Sequence, residues 1–311
     1  FEPMPLRPRP LPVKVAATEP AEAQPEDTQK KTGTVFIQDV YQGMEGIERG
    51  RVKYVRVMGA LPWPWNENGM FRIGLAGNVH RKKVYGVAKV HEDGSACFEV
   101  PAGENVFFQA LDEDYMQLQH MATFINLNPG ETRSCVGCHE HRRQAPSISP
   151  AHSLAMSQPV QTLTPQPGDT GPRTVDYAAD VQPVLDKHCV GCHGALNPQG
   201  RLDLTGTLTQ TWTRSYENLM GKGLVSSRHC GFGRSGFRPL PPLSFGSHLS
   251  KLAEQIRTGD PCKADVSREE FIRVVTWIDA NAPYYGTYQG KRDLKDKDAP
   301  DFRPLPLARS E

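Results

Sequence analysis

One pentapeptide occurs twice in this chain, as Cys135-Val136-Gly137-Cys138-His139 and as Cys189-Val190-Gly191-Cys192-His193. Two thiols three residues apart lie on one helical turn, and the histidine that follows at once sets an imidazole beside them. That spacing meets the two vinyl groups and the iron of a single porphyrin, so each copy reads as a site for covalent haem c attachment. A CxxC alone would also suit a redox disulfide or half of a zinc site, and two such pairs can share one zinc. The histidine directly after each pair favours haem at both copies. Two covalently attached haem c groups are therefore expected, on Cys135 and Cys138 with His139 as iron ligand, and on Cys189 and Cys192 with His193.

The ligand on the far side of each iron decides what such a group does: a second strong donor closes the iron for electron transfer, and an open position admits chemistry. For the second haem, His248 is the leading candidate ahead of His229 and Met220, because it opens a helical stretch just after Pro239-Leu240-Pro241-Pro242, whose prolines stiffen the approach. For the first haem, His80, His91, His120, His141 and His152 all come into consideration. His120 leads, standing just before the run that delivers the chain to Cys135. The bland reading of each of these histidines is a surface or strand-end polar residue. His188, directly before Cys189, is expected to pack or hydrogen-bond at the haem edge.

The chain holds seven cysteines, and the motifs use four. Cys230 and Cys262 are expected to form a disulfide, in keeping with an oxidising compartment, the alternative being two separate buried thiols. Cys97 falls in the alternating stretch Ser95-Ala96-Cys97-Phe98-Glu99-Val100 and reads as a small strand residue.

Hydrophobic periodicity divides the 311 residues. Residues 1–30 are a proline-rich strap, with seven prolines in the first 25 positions removing amide donors. Residues 31–145 show apolar residues recurring with period two or as short runs at Thr34–Val40, Val52–Met58, Val84–Val90, Ala96–Val100, Val106–Leu111 and Thr123–Leu127, parted by turn signals such as Glu92-Asp93-Gly94. This spacing predicts an antiparallel β-sandwich carrying the first haem motif at its end. Trp63-Pro64-Trp65 interrupts the pattern as a loop. Residues 146–174 are a second proline-rich segment and read as a linker.

Over 175–288 the period turns helical. Val181, Val184, Leu185 and His188 share one face, Leu249, Leu252 and Ile256 another, and Ser267 with Glu270 forms a capping box ahead of Phe271, Val274, Val275 and Ile278. Short helices around one CxxCH predict a small all-α cytochrome c domain. Residues 289–311 are a charged tail. The fold class expected is thus α+β and multidomain, with two small cores.

Lys and Arg number 36 against 35 acidic residues, which gives no reason to expect nucleic acid or a membrane surface as partner. No apolar run is long enough for a membrane span. The chain opens at Phe1 and reads as a mature or excised segment of an exported protein, periplasmic or extracellular.

Several longer stretches resemble the middle and C-terminal haem domains of the hydrazine synthase alpha subunit family. They are Lys31 to Tyr41, Asp93 to Ala102, Phe108 to Asp114, Pro129 to Glu140, Asp180 to Asp186, Phe245 to His248 and Val275 to Tyr285. In that family a β-propeller precedes the haem domains, and nothing in this sequence corresponds to it. The resemblance implies a second haem held by two histidines, which falls on His193 and His248. It also implies a first haem ligated by a tyrosine four residues after the motif histidine, which itself turns to zinc. Here that position is Arg143, which cannot replace a tyrosinate, so an ordinary haem on His139 is expected. Two readings follow. The favoured one is an electron-transfer cytochrome, a subunit of a larger or polymeric multihaem assembly, partnered by redox proteins or neighbouring haem subunits. The other is a haem enzyme of nitrogen metabolism with an open haem in the β-domain.

Overall fold

The alternating runs become strands because each buries one set of side chains against a facing layer. The structure, a computed structural model, describes residues 31–61, 73–76, 80–121, 123–138, 153–227, 240–260, 263–288 and 298. Among these the strands are β1 Thr32–Ile37, β2 Tyr54–Ala60, β3 Lys82–Lys89, β4 Ala96–Pro101, β5 Val106–Leu111, β6 Gln117–His120, β7 Thr132–Cys135 and β8 Arg173–Thr174. The helices are α1 Tyr177–Asp180, α2 Gln182–His188, α3 Arg214–Gly221, α4 Lys251–Thr258 and α5 Arg268–Asp279. The proline-rich strap, Trp63-Pro64-Trp65 and most of the charged tail lie outside the described residues.

Two sheets form, a three-stranded one in the order β4-β1-β7 and a five-stranded one in the order β6-β5-β2-β3-β8. The larger sheet is the middle layer. Val55 and Val57 of β2 and Val106, Phe108 and Ala110 of β5 meet Val35, Ile37, Phe98 and Val100 of the smaller sheet in one core. Met58 and Phe107, on the opposite face, meet Val184, Leu185, Val274, Trp277 and Ile278 of the helices in another. The helices thus share their core with the sheet, and the chain folds as sheet, sheet and helices in three layers. Because both faces of the middle sheet are covered, β5 is buried along its whole length.

Three sequence expectations change. The sandwich is not wholly antiparallel: β7 pairs parallel with β1, Ile37 opposite Cys135, while β4 pairs antiparallel with β1. A parallel partner needs a long crossover, which the chain from β1 to β7 supplies by way of the other sheet. Thr123–Leu127 is no strand and makes one bridge, Ile125 to Val106. Its place at the sheet edge is taken by Gln117–His120, whose buried glutamines hide the apolar pattern. The segment read as a linker lies along the sheets where it is described: Gln161 bridges to Phe98, Thr164 to Val87, and β8 pairs with β3.

Helix α5 carries the capping box expected of Ser267 and Glu270. Glu270 also accepts from Lys187 Nζ at 2.9 Å and lies 3.0 Å from His188 Nε2, tying α5 to the end of α2. Burial alone would raise this carboxyl, but Lys187, the Ser267 N–H and His188 bring it down to about 2. A lowered carboxyl stabilises the fold above its unfolded value near 4.5, and that contribution is lost as pH falls toward 2. Glu270→Gln keeps the cap and removes the charge, so its melting temperature is expected to lie below wild type at neutral pH, by the equivalent of about 0.5–1 kcal/mol. Melts taken across this range should show the two proteins converging below pH 4.5.

Candidate functional site: two CxxCH segments and a buried polar network

The first motif is delivered by β7. Its entry continues the pairing with β1, as Gln38 N–H donates to Cys135 O at 2.9 Å and Asp39 N–H to Val136 O at 3.0 Å. Cys135 and Cys138 are half-buried and pack against the core between the sheets. Burial, then Cys135 and Asp39 beside it, push the Cys138 thiol up to about 12. His139 lies outside the described residues, as do His141, Arg143 and His152.

The second motif begins where α2 ends. Cys189 N–H closes the helix on Leu185 O, and Cys192 N–H and His193 N–H both return to Cys189 O, so the pentapeptide is a tight turn. His193 Nδ1 lies 3.0 Å from Gln199 O and 3.1 Å from Leu202 O. An imidazole whose Nδ1–H donates to a backbone carbonyl is fixed in tautomer and ring direction, with Nε2 as its metal-binding nitrogen. Neither CxxC is closed into a disulfide. The two thiols and the imidazole of the second motif therefore fit a covalently held haem.

The two motifs share a sequence but not a packing environment. A Cβ on Gly137 would stand 2.4 Å from Gln42 O and 2.5 Å from Gln42 Cβ, whereas one on Gly191 would meet nothing within 4 Å. Gly137→Ala is expected to cost about 1–3 kcal/mol by overpacking. Gly191→Ala should stay within about 0.5 kcal/mol of wild type, as surface changes do. Denaturant melts of the two variants make the comparison.

His248 stands in a short helical turn, Ser247–Leu249, between β6, α4 and α5. Its Nε2 lies 2.9 Å from Asp112 Oδ2, a charge contact without hydrogen-bond alignment. With Asp112, Arg51, Lys53 and Arg257 it lines a cavity of about 440 Å³. That polar lining suits water and ions more than the face of a porphyrin.

His120 lies at the end of β6, with Nδ1 3.1 Å from Gln117 Oε1 and its ring edge-on to Phe245 and Phe107. Its described neighbours are thus the turn before His248 and the helix-side core. Among the other histidines considered, His80 is exposed and His91 sits in a hairpin turn. Met220 is half-buried on α3, and His188 pairs with Glu270. His229, Cys230 and Cys262 lie outside the described residues, and the expected disulfide with them. Cys97 is a buried β4 thiol, raised by that burial.

Sequence reading missed a buried polar network on the helix side of the middle sheet. Arg56, fully buried, donates to Gln166 Oε1 at 3.0 Å, Gln109 Oε1 at 3.0 Å and Tyr115 O at 2.9 Å. Gln109 Nε2 donates onward to Gln117 Oε1 and to Asp279 O, each at 2.7 Å. The Asp279 carboxylate lies 4.0 Å from Arg56 and accepts from Gln117 N–H at 3.0 Å and from Ser247 N–H at 2.8 Å. Burial drives the Asp279 carboxyl up and the Arg56 guanidinium down, each opposed by its partner's charge. An arginine inside an otherwise apolar strand, Val55-Arg56-Val57-Met58, was the available signal.

These features define a class: an α+β protein of two packed sheets and a helical layer, with one CxxCH leaving a sheet edge and a second closing a helix. Comparison with known proteins places a family beside that class. The profile of the hydrazine synthase alpha subunit middle domain matches residues 22–140. Hydrazine synthase subunit alpha of Kuenenia stuttgartiensis is 22% identical over 250 residues, covering 58% of this chain and 30% of the relative. A solved structure of Kuenenia stuttgartiensis hydrazine synthase shares the fold with a TM-score of 0.61 at 19% identity, over 84% of this chain and 44% of that one. The chain resembles the hydrazine synthase alpha family and spans less than half the length of either relative.

Proposed function

We propose that this chain is a dihaem c-type cytochrome, exported to the periplasm or beyond, which transfers electrons as a subunit of a larger multihaem assembly. The observation that carries this reading is the second motif, where two thiols and an imidazole anchored through Nδ1 on Gln199 and Leu202 stand on one turn. Cys189 and Cys192 would hold one haem with His193 on its iron, and Cys135 and Cys138 the other with His139. When bound, each haem supplies a reversible one-electron couple whose potential depends on axial ligands and burial. His248 is assigned to the iron opposite His193. That assignment rests on the resemblance and on sequence order, for the Nε2 of His248 faces Asp112 across a charged cavity. His120 as distal ligand of the first haem rests on sequence order, its described neighbours being Gln117, Phe107 and Phe245.

A second reading, an enzyme of nitrogen metabolism with an open haem in the β part, is favoured by the family match, which extends over the first motif. One pair of measurements separates the two. Intact mass of the denatured protein should exceed the polypeptide by two haems. The reduced spectrum should not change under carbon monoxide. A mass without haem removes both readings, and a spectrum in which one haem binds carbon monoxide favours the enzyme.

A further inference from the structure

The cavity beside His248 is lined by three cations, Arg51, Lys53 and Arg257, and three carboxylates, Asp112, Glu113 and Asp114, equal in number but unequally paired. Two of the carboxylates are engaged by the protein itself. Asp112 Oδ1 accepts from Asp114 N–H at 3.0 Å and from Met116 N–H at 2.9 Å, and its Oδ2 faces His248 Nε2 at 2.9 Å. Asp114 lies 3.5 Å from Arg268 Nη1, while Nη2 of the same guanidinium donates to Glu113 O at 2.6 Å. The cations have no such partners. Among the described residues the side chains of Arg51, Lys53 and Arg257 make no hydrogen bond, ion pair or ring contact, and of the acids only the Glu113 side chain is likewise unpaired. Three unpaired positive charges against one negative leave the cavity with an excess of two.

Solvated bases on a surface are ordinary, but these come from separate, well-held segments. Lys53 N–H donates to Leu111 O at 2.8 Å and Lys53 O accepts from Val90 N–H at 3.0 Å, which fixes the approach to β2 between the ends of β5 and β3. Arg257 stands in the last turn of α4. The helix dipole accounts for a cation there, but not for two more that share its cavity. Like charges gathered in one place repel, and an anion between them turns that repulsion into attraction.

We propose that this cavity binds a small, doubly charged oxyanion with the chemistry of phosphate, held by the guanidinium groups of Arg51 and Arg257 and the ammonium of Lys53. A guanidinium fork engages two oxygens of such an ion at once, and the ammonium adds a point charge. The two negative charges match the excess of two. At about 440 Å³ the cavity lies in the size range of small-ligand sites. Glu113, the unpaired acid, opposes the ion. Neither haem takes part, so the site stands apart from the electron transfer proposed above.

The test titrates the full chain calorimetrically with inorganic phosphate and with sulfate, against acetate and chloride at matched ionic strength. Wild type is expected to bind one equivalent of either dianion saturably and to melt at a higher temperature in its presence. Acetate and chloride should do neither. Arg51→Gln and Arg257→Gln should each weaken binding about tenfold or more, the effect of losing a charge-assisted hydrogen bond. Glu113→Gln should act in the opposite direction and tighten binding. Lys222→Gln removes a charge of the same sign from an exposed position outside the cavity and should leave binding unchanged. The substituted side chains are all exposed, and melts in chloride check that each variant is folded. Should one arginine variant not accumulate, the other and Glu113→Gln decide the matter. No saturable binding by wild type overturns the proposal. Equal binding of acetate overturns it too, as does a loss in Lys222→Gln as large as in the arginine variants, since either result reports only attraction to net charge. Unchanged binding in the arginine variants places the ion elsewhere and overturns it as well.

Discussion

Replacing Arg56 with methionine is expected to destabilise the protein by about 3–5 kcal/mol, the usual cost of leaving a buried charge without its partner. The guanidinium and the Asp279 carboxylate both have no exposed side-chain surface. Methionine fills much of the same volume, so the loss comes from electrostatics and unmade hydrogen bonds, not from a cavity. Gln166, Gln109 and the Tyr115 carbonyl each lose a donor, and the carboxylate loses its only positive neighbour within 4.0 Å among the described residues. Making Asp279 apolar as well is not expected to restore stability, although exchange of a simple buried ion pair for apolar residues often does. The reason is that Asp279 also accepts two backbone N–H groups, from Gln117 and Ser247, which would then be orphaned. Urea melts of Arg56→Met and of Arg56→Met with Asp279→Leu decide this, and a double variant as stable as wild type would refute it.

The second large effect is all or none. Serine in place of both Cys189 and Cys192 is expected to remove one complete haem from the intact mass and to halve the haem absorbance per polypeptide. Serine in place of both Cys135 and Cys138 should remove the other. The two variants should differ in their protein chemistry. Cys138 is half-buried against the core between the sheets, so a serine hydroxyl there loses part of its hydration, while Cys192 is exposed and its replacement costs the polypeptide little. The first pair should therefore lower the melting temperature more than the second, beyond the stabilisation that any tightly held group lends by binding the native state. Equal haem content in all three proteins would exclude thioether attachment.

Both outcomes bear on how the helical layer is mounted on the middle sheet. Arg56 and Gln109 reach from β2 and β5, Gln166 from the segment along the sheet edge, and Asp279 and Thr276 from α5. Such a network is satisfied only when all these segments are in place. It can therefore fix a single docking of the helices where apolar packing alone would tolerate several.

Much of this architecture was legible in the chain because its signals are local. The short apolar run Val106–Leu111, the Ser267 and Glu270 box ahead of α5, and the CVGCH pentapeptides each depend on residues within a few positions of one another, and the strand and the box lie where the pattern put them. The sequence by itself therefore determined most element types, the α+β class, the resemblance to the hydrazine synthase alpha family and the two CVGCH pentapeptides. Only the tertiary structure decided that β7 runs parallel to β1, that Gln117–His120 and not Thr123–Leu127 edges the larger sheet, and that Gly137 is crowded while Gly191 is open. It alone brought Arg56, Gln109, Gln117 and Asp279 together beneath the His248 turn. A glutamine or arginine inside a strand looks solvent-facing until its partner is known. Here the partners lie up to 170 positions away along the chain, beyond the reach of any periodicity, and burial of those polar groups is tolerable only because folding brings donor and acceptor together.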